Sequence, residues 1–96
     1  MKIMMEKFGT TLISRQAGKE ALAAFTPVLG EVREDEKIEV DFRGVNTFSP
    51  SWADEFLRGL IDRYGKRVIL LHTENPSVDA TLSFLESIGY AKFTIE

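Results

Sequence analysis

The sequence predicts an α/β fold, a mixed β-sheet with about three helices packed on it, in the order β-(β)-α-β-α-β-α-β. Three observations carry this. Short apolar or alternating segments such as Ile38–Phe42 and Val68–Leu71 are interleaved with segments whose apolar residues recur at helical spacing. Each helical segment opens on a hydroxyl or amide side chain and is followed by a glycine: Ser14 and Gly30, Ser49 or Ser51 and Gly65, Asn75 and Gly89. The spacings in the second half are so short that the strands there must be joined by parallel, right-handed crossovers.

A chain of 96 residues is one domain, 1–96, and cannot house two independent cores. With 44% hydrophobic and 28% charged residues it has the composition of an ordinary folded protein rather than a disordered one. Twelve basic against fifteen acidic residues leave a net charge of −3, the opposite of the basic footprint of a nucleic-acid binder. The chain has no cysteine and a single histidine, His72, so disulfides, thiolate metal sites, a cysteine nucleophile and a multi-histidine metal site are excluded. The apolar run of MKIMMEKFG is broken by Glu6 and Lys7 and is too short for a signal or membrane segment. No membrane association, no cofactor and a cytoplasmic location are the expectations.

In chain order, Ile3–Phe8 and Thr10–Ile13 are β-prone pieces on either side of Gly9, compatible with a hairpin or with one bent strand. From Ser14 the pattern is helical, with Gly18, Ala21, Leu22, Phe25 and Leu29 on one side. Gly18 costs about 1 kcal/mol against alanine inside a helix, so another backbone should approach it closely. Pro27 has no N–H, which predicts that the regular helix weakens or ends around Thr26, with Gly30 marking the exit. Ile38, Val40 and Phe42 alternate with Glu39 and Asp41 as a strand, and Gly44 supplies the turn.

The next helix has two possible starts: Ser49 as cap with Pro50 first, or Ser51 as cap with Asp54 in a box-like arrangement. Its apolar half is Trp52, Ala53, Phe56, Leu57, Leu60, Ile61 and Tyr64, and Asp54–Arg58 and Arg58–Asp62 have ion-pair spacing. The run Val68–Leu71 reads as a central strand covered on both faces. A third helix from Asn75 and Pro76 repeats Val78, Leu82, Leu85 and Ile88, and Tyr90–Ile95 reads as a closing strand.

Hydroxyls and acids concentrate where the Ile38–Phe42 strand hands over to the following helix, and any site is expected there. Capping accounts for Ser49 and Ser51, and a helix N-terminus also offers N–H groups to an anion. Helix-dipole complementarity accounts for Asp54 and Glu55, and turn fixing for Asp41. A metal site would need Asp41, Asp54 and Glu55 to converge. Arg15 stands where the helix dipole disfavours a cation, so it should pair with Asp54 or Glu55. His72 has no nucleophile beside it in sequence pattern and reads as a strand-end residue.

The phrase VDFRGVNTFSPSWADEFLR, preceded by SRQAGKEAL, resembles the bacterial STAS-like family, relatives of the sulphate-transporter and anti-sigma-factor-antagonist domains. The matching positions are Ser14 and Arg15, Asp41, Phe42, Gly44 and Val45, and Trp52 to Phe56, where the family has an aromatic followed by Ala-Asp-Glu. The resemblance spans the element order of the whole chain, including an initial hairpin. It implies a non-enzymatic regulatory interaction module whose protein partner is a histidine-kinase-like ATPase or another signalling protein. In the antagonists a serine at this helix start is phosphorylated by such a kinase; here that position is Pro50, flanked by Ser49 and Ser51. The interaction or phosphoacceptor region expected is therefore Arg15, Asp41, Ser49, Ser51, Asp54, Glu55 and Arg58. The alternative is a small-ligand or nucleotide sensor that binds an anion at the N-terminus of the second helix.

Overall fold

The computed structural model describes residues 1–90 and 92–96. In order they form β1 (Lys2–Met4), β2 (Thr11–Leu12), α1 (Arg15–Leu29), β3 (Ile38–Asp41), β4 (Thr47–Phe48), α2 (Pro50–Tyr64), β5 (Val68–Leu70) and α3 (Pro76–Ser87), with 3-10 turns at Met5–Phe8 and Gly65–Arg67. This is the expected α/β architecture with three helices. The main sheet has the order β1-β3-β5, with every described pair parallel and Ile3, Val40 and Leu70 in register. The last residues extend it, since Leu70 N–H donates to Thr94 O at 2.8 Å and Glu96 N–H to Leu70 O at 2.9 Å. A second, two-stranded parallel sheet pairs β2 with β4.

Each crossover advances to the next strand in the same direction, through α1, α2 and α3 in turn. Right-handed crossovers that always step the same way leave all three helices on one face of the sheet. Burial follows: Ile3, Val40 and Leu70 on that face are at most 1% exposed, whereas Lys2 and Glu39 on the other keep access to solvent. The apolar run at Val68–Leu70 is central, as expected, but has a helix layer on one side only. Ile69 is buried yet stands apart from the core cluster.

The N-terminal pieces form neither a hairpin nor a single bent strand. β1 pairs with β3 and β2 with β4, because the intervening 3-10 turn and Gly9, at φ 128°, redirect the chain between the two sheets. That turn drops Met5 into the core and sets Phe8 against Phe25, Trp52 and Phe56, a larger apolar gain than a two-stranded ribbon offers. Trp52 and Phe56 stack at 5.0 Å in the middle of this aromatic group.

α1 leaves at Gly30 as expected, while the end of α3 departs from the sequence reading. α1 continues through Pro27 to Leu29, since the bond lost at the proline belongs to the exposed Ala23 carbonyl and burial of Phe25 and Leu29 holds the last turn. α3 stops at Ser87, which leaves Ile88 60% exposed rather than in the core. Of the expected closing strand Tyr90–Ile95, only the segment from Thr94 onward pairs with β5, and Ala91 lies outside the described residues.

Candidate functional site

The parallel winding brings the N-termini of α1, α2 and α3 to the rim where the strands end, the usual place for sites in open α/β sheets. α1 and α2 cross there in direct contact. A Cβ on Gly18 would lie 2.7 Å from the Trp52 carbonyl oxygen and 3.1 Å from its Cα, so the absent side chain lets two backbones meet. The close approach expected at Gly18 is this contact.

Ser49, not Ser51, caps α2. Its Oγ accepts from Trp52 N–H at 3.3 Å and donates to Ile13 O at 2.6 Å, which ties the end of β2 to the helix start, and Pro50 takes the first helical position. The Ser51–Asp54 box does not form. Asp54 and Glu55 consequently sit in the second turn, where the helix dipole has faded, and another cause must hold them.

That cause is Arg15. Its Nη1 donates to Asp54 Oδ2 at 2.5 Å and to Glu55 Oε1 at 3.1 Å, and these two carboxylates, Asp54 first, push the guanidinium pKa further up. Asp54 Oδ1 in turn forms an ion pair with Arg58, 3.1 Å from its Nε. Arg58 lies over the ring of Tyr90 with 4.5 Å between guanidinium carbon and ring centre. No ion pair joins Arg58 to Asp62 among the described residues. The result is a charged ledge, Glu55–Arg15–Asp54–Arg58, laid across two helices and floored by Tyr90. Half-exposed pairs of this kind add little to stability, but a chain of them fixes the geometry of every member.

Tyr90 is the unusual member. Burial raises its pKa to about 12 while the Arg58 guanidinium pulls the other way, and its hydroxyl is buried with no hydrogen-bond partner among the described residues.

Asp41 does not join the ledge. It follows Val40 and so points to the sheet face without helices, where it is 4% exposed. Its Oδ1 accepts from Arg43 N–H and its Oδ2 from Arg43 Nε, both at 2.9 Å, with Lys2 Nζ 3.5 Å away. Burial pushes the carboxyl up, but the bonds to Arg43 and the charges of Arg43 and Lys2 outweigh it and hold the pKa below the ordinary value. Asp41 thus fixes the turn in which Val45 N–H donates to Phe42 O and Gly44 adopts φ 86°. Asp41, Asp54 and Glu55 do not converge, and the described residues hold no group of three metal-ligating side chains. His72 is exposed, with its backbone N–H bonded to Glu96 O.

One polar cluster was not legible as such in the sequence. Asn75 Oδ1 caps α3 by accepting from Ser77 and Val78 N–H, while its Nδ2 donates to Val45 O at 2.6 Å. Ser77 and Thr81 bond the main chain of Phe48, so α3 acts as a side-chain substitute for a strand beside β4. The signal was present only in part, as the Asn-Pro start of a helix.

No described helix is long and apolar enough to cross a membrane. No curated protein and no solved structure is significantly similar to the chain. The model of one family, described as "STAS-like domain of unknown function (DUF4325)", matches residues 26–79, from the last turns of α1 through β3, α2 and β5 to the start of α3. That segment covers more than half of the chain and contains Asp54, Glu55 and Arg58, and it places this protein in the family of STAS-like domains of unknown function.

Proposed function

We propose that the protein is a non-enzymatic interaction module of bacterial signalling, cytoplasmic and anti-sigma-antagonist-like, whose partner is a histidine-kinase-like ATPase or a related signalling protein. The observation that supports this reading is the ledge on α1 and α2. Four alternating charges are held by one another at a solvent boundary, with Arg15 and Arg58 each 53% exposed and Asp54 26% exposed. Such prepositioned charges give a partner both register and a fast encounter, and the ordering cost is met before binding. Ser51 stands beside the ledge, half-buried and with no side-chain hydrogen bond among the described residues, and is the hydroxyl open to modification; Ser49 is engaged as the cap. A phosphate on Ser51 would add about two negative charges next to Asp54 and Glu55 and would repel an acidic partner surface.

The sensor alternative has less support from the same geometry. At the start of α2, Pro50 has no N–H, Trp52 N–H is bonded to Ser49 Oγ and Ala53 N–H to Ser49 O, which leaves few donors for an anion.

Affinity capture of the wild type and of Asp54→Arg from native lysate, with intact-mass analysis of the recovered chain, tests the proposal. A signalling ATPase held by the wild type and lost by the variant is the expected result. Equal recovery by both, or nothing recovered by either, would refute it.

A further inference from the structure

The far end of α2 bounds a feature that the ledge does not use. Between the last turn of α2, the start of β5 and the segment that returns after α3 lies a cavity of about 200 Å³. It exists because the returning chain meets β5 only at Thr94, two residues beyond Val68 in the ladder, so the first part of that strand edge has no described neighbour. It is lined by Ile61, Gly65, Val68, Leu70, Phe93 and Thr94, together with Lys66 and Lys92, both of them exposed to solvent. Phe93 is itself buried and anchored, with its N–H donating to Glu86 Oε2 at 3.0 Å and its ring 6.0 Å from that of Tyr90.

The chemistry of the lining is asymmetric. The interior is aliphatic and aromatic, and the rim is cationic in a protein whose net charge is −3. Neither lysine has a carboxylate within ion-pair distance among the described residues, although the chain has fifteen acids. An apolar body inside would be favoured for each methylene removed from water, and a carboxylate left at the mouth would keep its hydration while facing both lysines. The volume corresponds to roughly six or seven waters, which suits the body of a short organic acid.

We infer that this cavity is a binding site for a small monocarboxylate with an apolar body, seated tail-first against Phe93 and Leu70 with its carboxylate between Lys66 and Lys92. The site begins one turn beyond Arg58 on α2 and shares the Tyr90–Phe93 contact with the ledge, but it does not depend on the interaction proposed there.

The test is a titration of the full chain with octanoate, followed through backbone amide chemical shifts, with octan-1-ol and acetate as comparators. Saturable shifts confined to the amides of Ile61, Lys66, Val68, Leu70 and Phe93 are expected, with octanol weaker and acetate without effect. Lys66→Gln with Lys92→Gln removes only exposed charges, so the fold persists and the octanoate affinity falls about tenfold. Shifts that fail to saturate, or that scatter to the exposed Phe84 and Ile88, would overturn the site. Unchanged affinity in the double variant, or octanol binding as tightly as octanoate, would overturn the assignment of an anion.

Discussion

Replacing Gly18 by alanine probes the crossing on which the ledge is built. In an unencumbered helix the change stabilises by about 1 kcal/mol, because glycine loses more backbone freedom on folding. Here the new Cβ meets the Trp52 carbonyl oxygen at 2.7 Å, the Trp52 Cα at 3.1 Å and the Glu55 Cβ at 3.3 Å. Two of those three atoms are main chain of a helix held in place by its own buried Phe56 and Leu60, so relief requires α1 and α2 to part by about 0.7 Å. Overpacking of this kind costs typically 1–3 kcal/mol, which exceeds the gain in propensity. The net expectation is a loss of about 1 kcal/mol, seen as a fall of about 4–8 °C in thermal midpoint for a domain of this size. Gly59→Ala is the control. It sits on the facing helix, and its Cβ meets only the tip of the half-exposed Leu22 side chain, which can swing aside. That variant should match the wild type or gain up to about 1 kcal/mol. Urea unfolding followed by circular dichroism at unchanged m compares the three proteins. A Gly18→Ala protein at least as stable as the wild type would refute the claim that backbone contact sets the crossing.

Asn75→Ala removes a helix cap and two donors to the Val45 and Asn46 carbonyls, and should lower the unfolding free energy by about 1–3 kcal/mol. Asn75→Asp keeps the cap acceptor but turns an oxygen toward those carbonyls, so it should remain less stable than the wild type; full recovery would show that the loop bonds contribute nothing. Tyr90 predicts a pH dependence at the alkaline end. Its ordinary pKa of 10.0 applies to the unfolded chain and the folded value is about 12, so the neutral form favours the fold. The stabilisation is complete below pH 10 and is lost as pH rises from 10 toward about 12. Tyr90→Phe, which also removes the buried, unpartnered hydroxyl, should be no less stable at neutral pH and should flatten that decline; an identical alkaline profile in both proteins would contradict the assignment.

The sequence carried the helices and their faces well, because a period set by apolar residues survives without knowledge of partners. Gly18, Phe25 and Leu29 on α1, and Trp52, Phe56 and Leu60 on α2, are buried as their spacing indicates. The pairing of Arg15 with Asp54 and Glu55 was also legible, since a cation at a helix start needs an acid from elsewhere. What was lost depends on tertiary choice. A glycine between two β-prone pieces looks the same whether the chain folds back on itself or crosses to a second sheet, and only the burial of Met5 and Phe8 decides it. Asp41 neighbours the helix start along the chain, but strand alternation turns it to the other side of the sheet. Tyr90 looked like a strand residue because nothing local records that Arg58 waits above its ring.

The uniform direction of the crossovers also makes the two ends of the sheet unlike. Every helix mouth gathers at one end, and the loop from Glu31 to Lys37, whose Arg33 and Glu34 carbonyls accept from Arg67 Nη1, lies at the other. A fluorophore or affinity tag on the exposed Asp35 would therefore stand clear of the ledge built by Arg15 and Asp54.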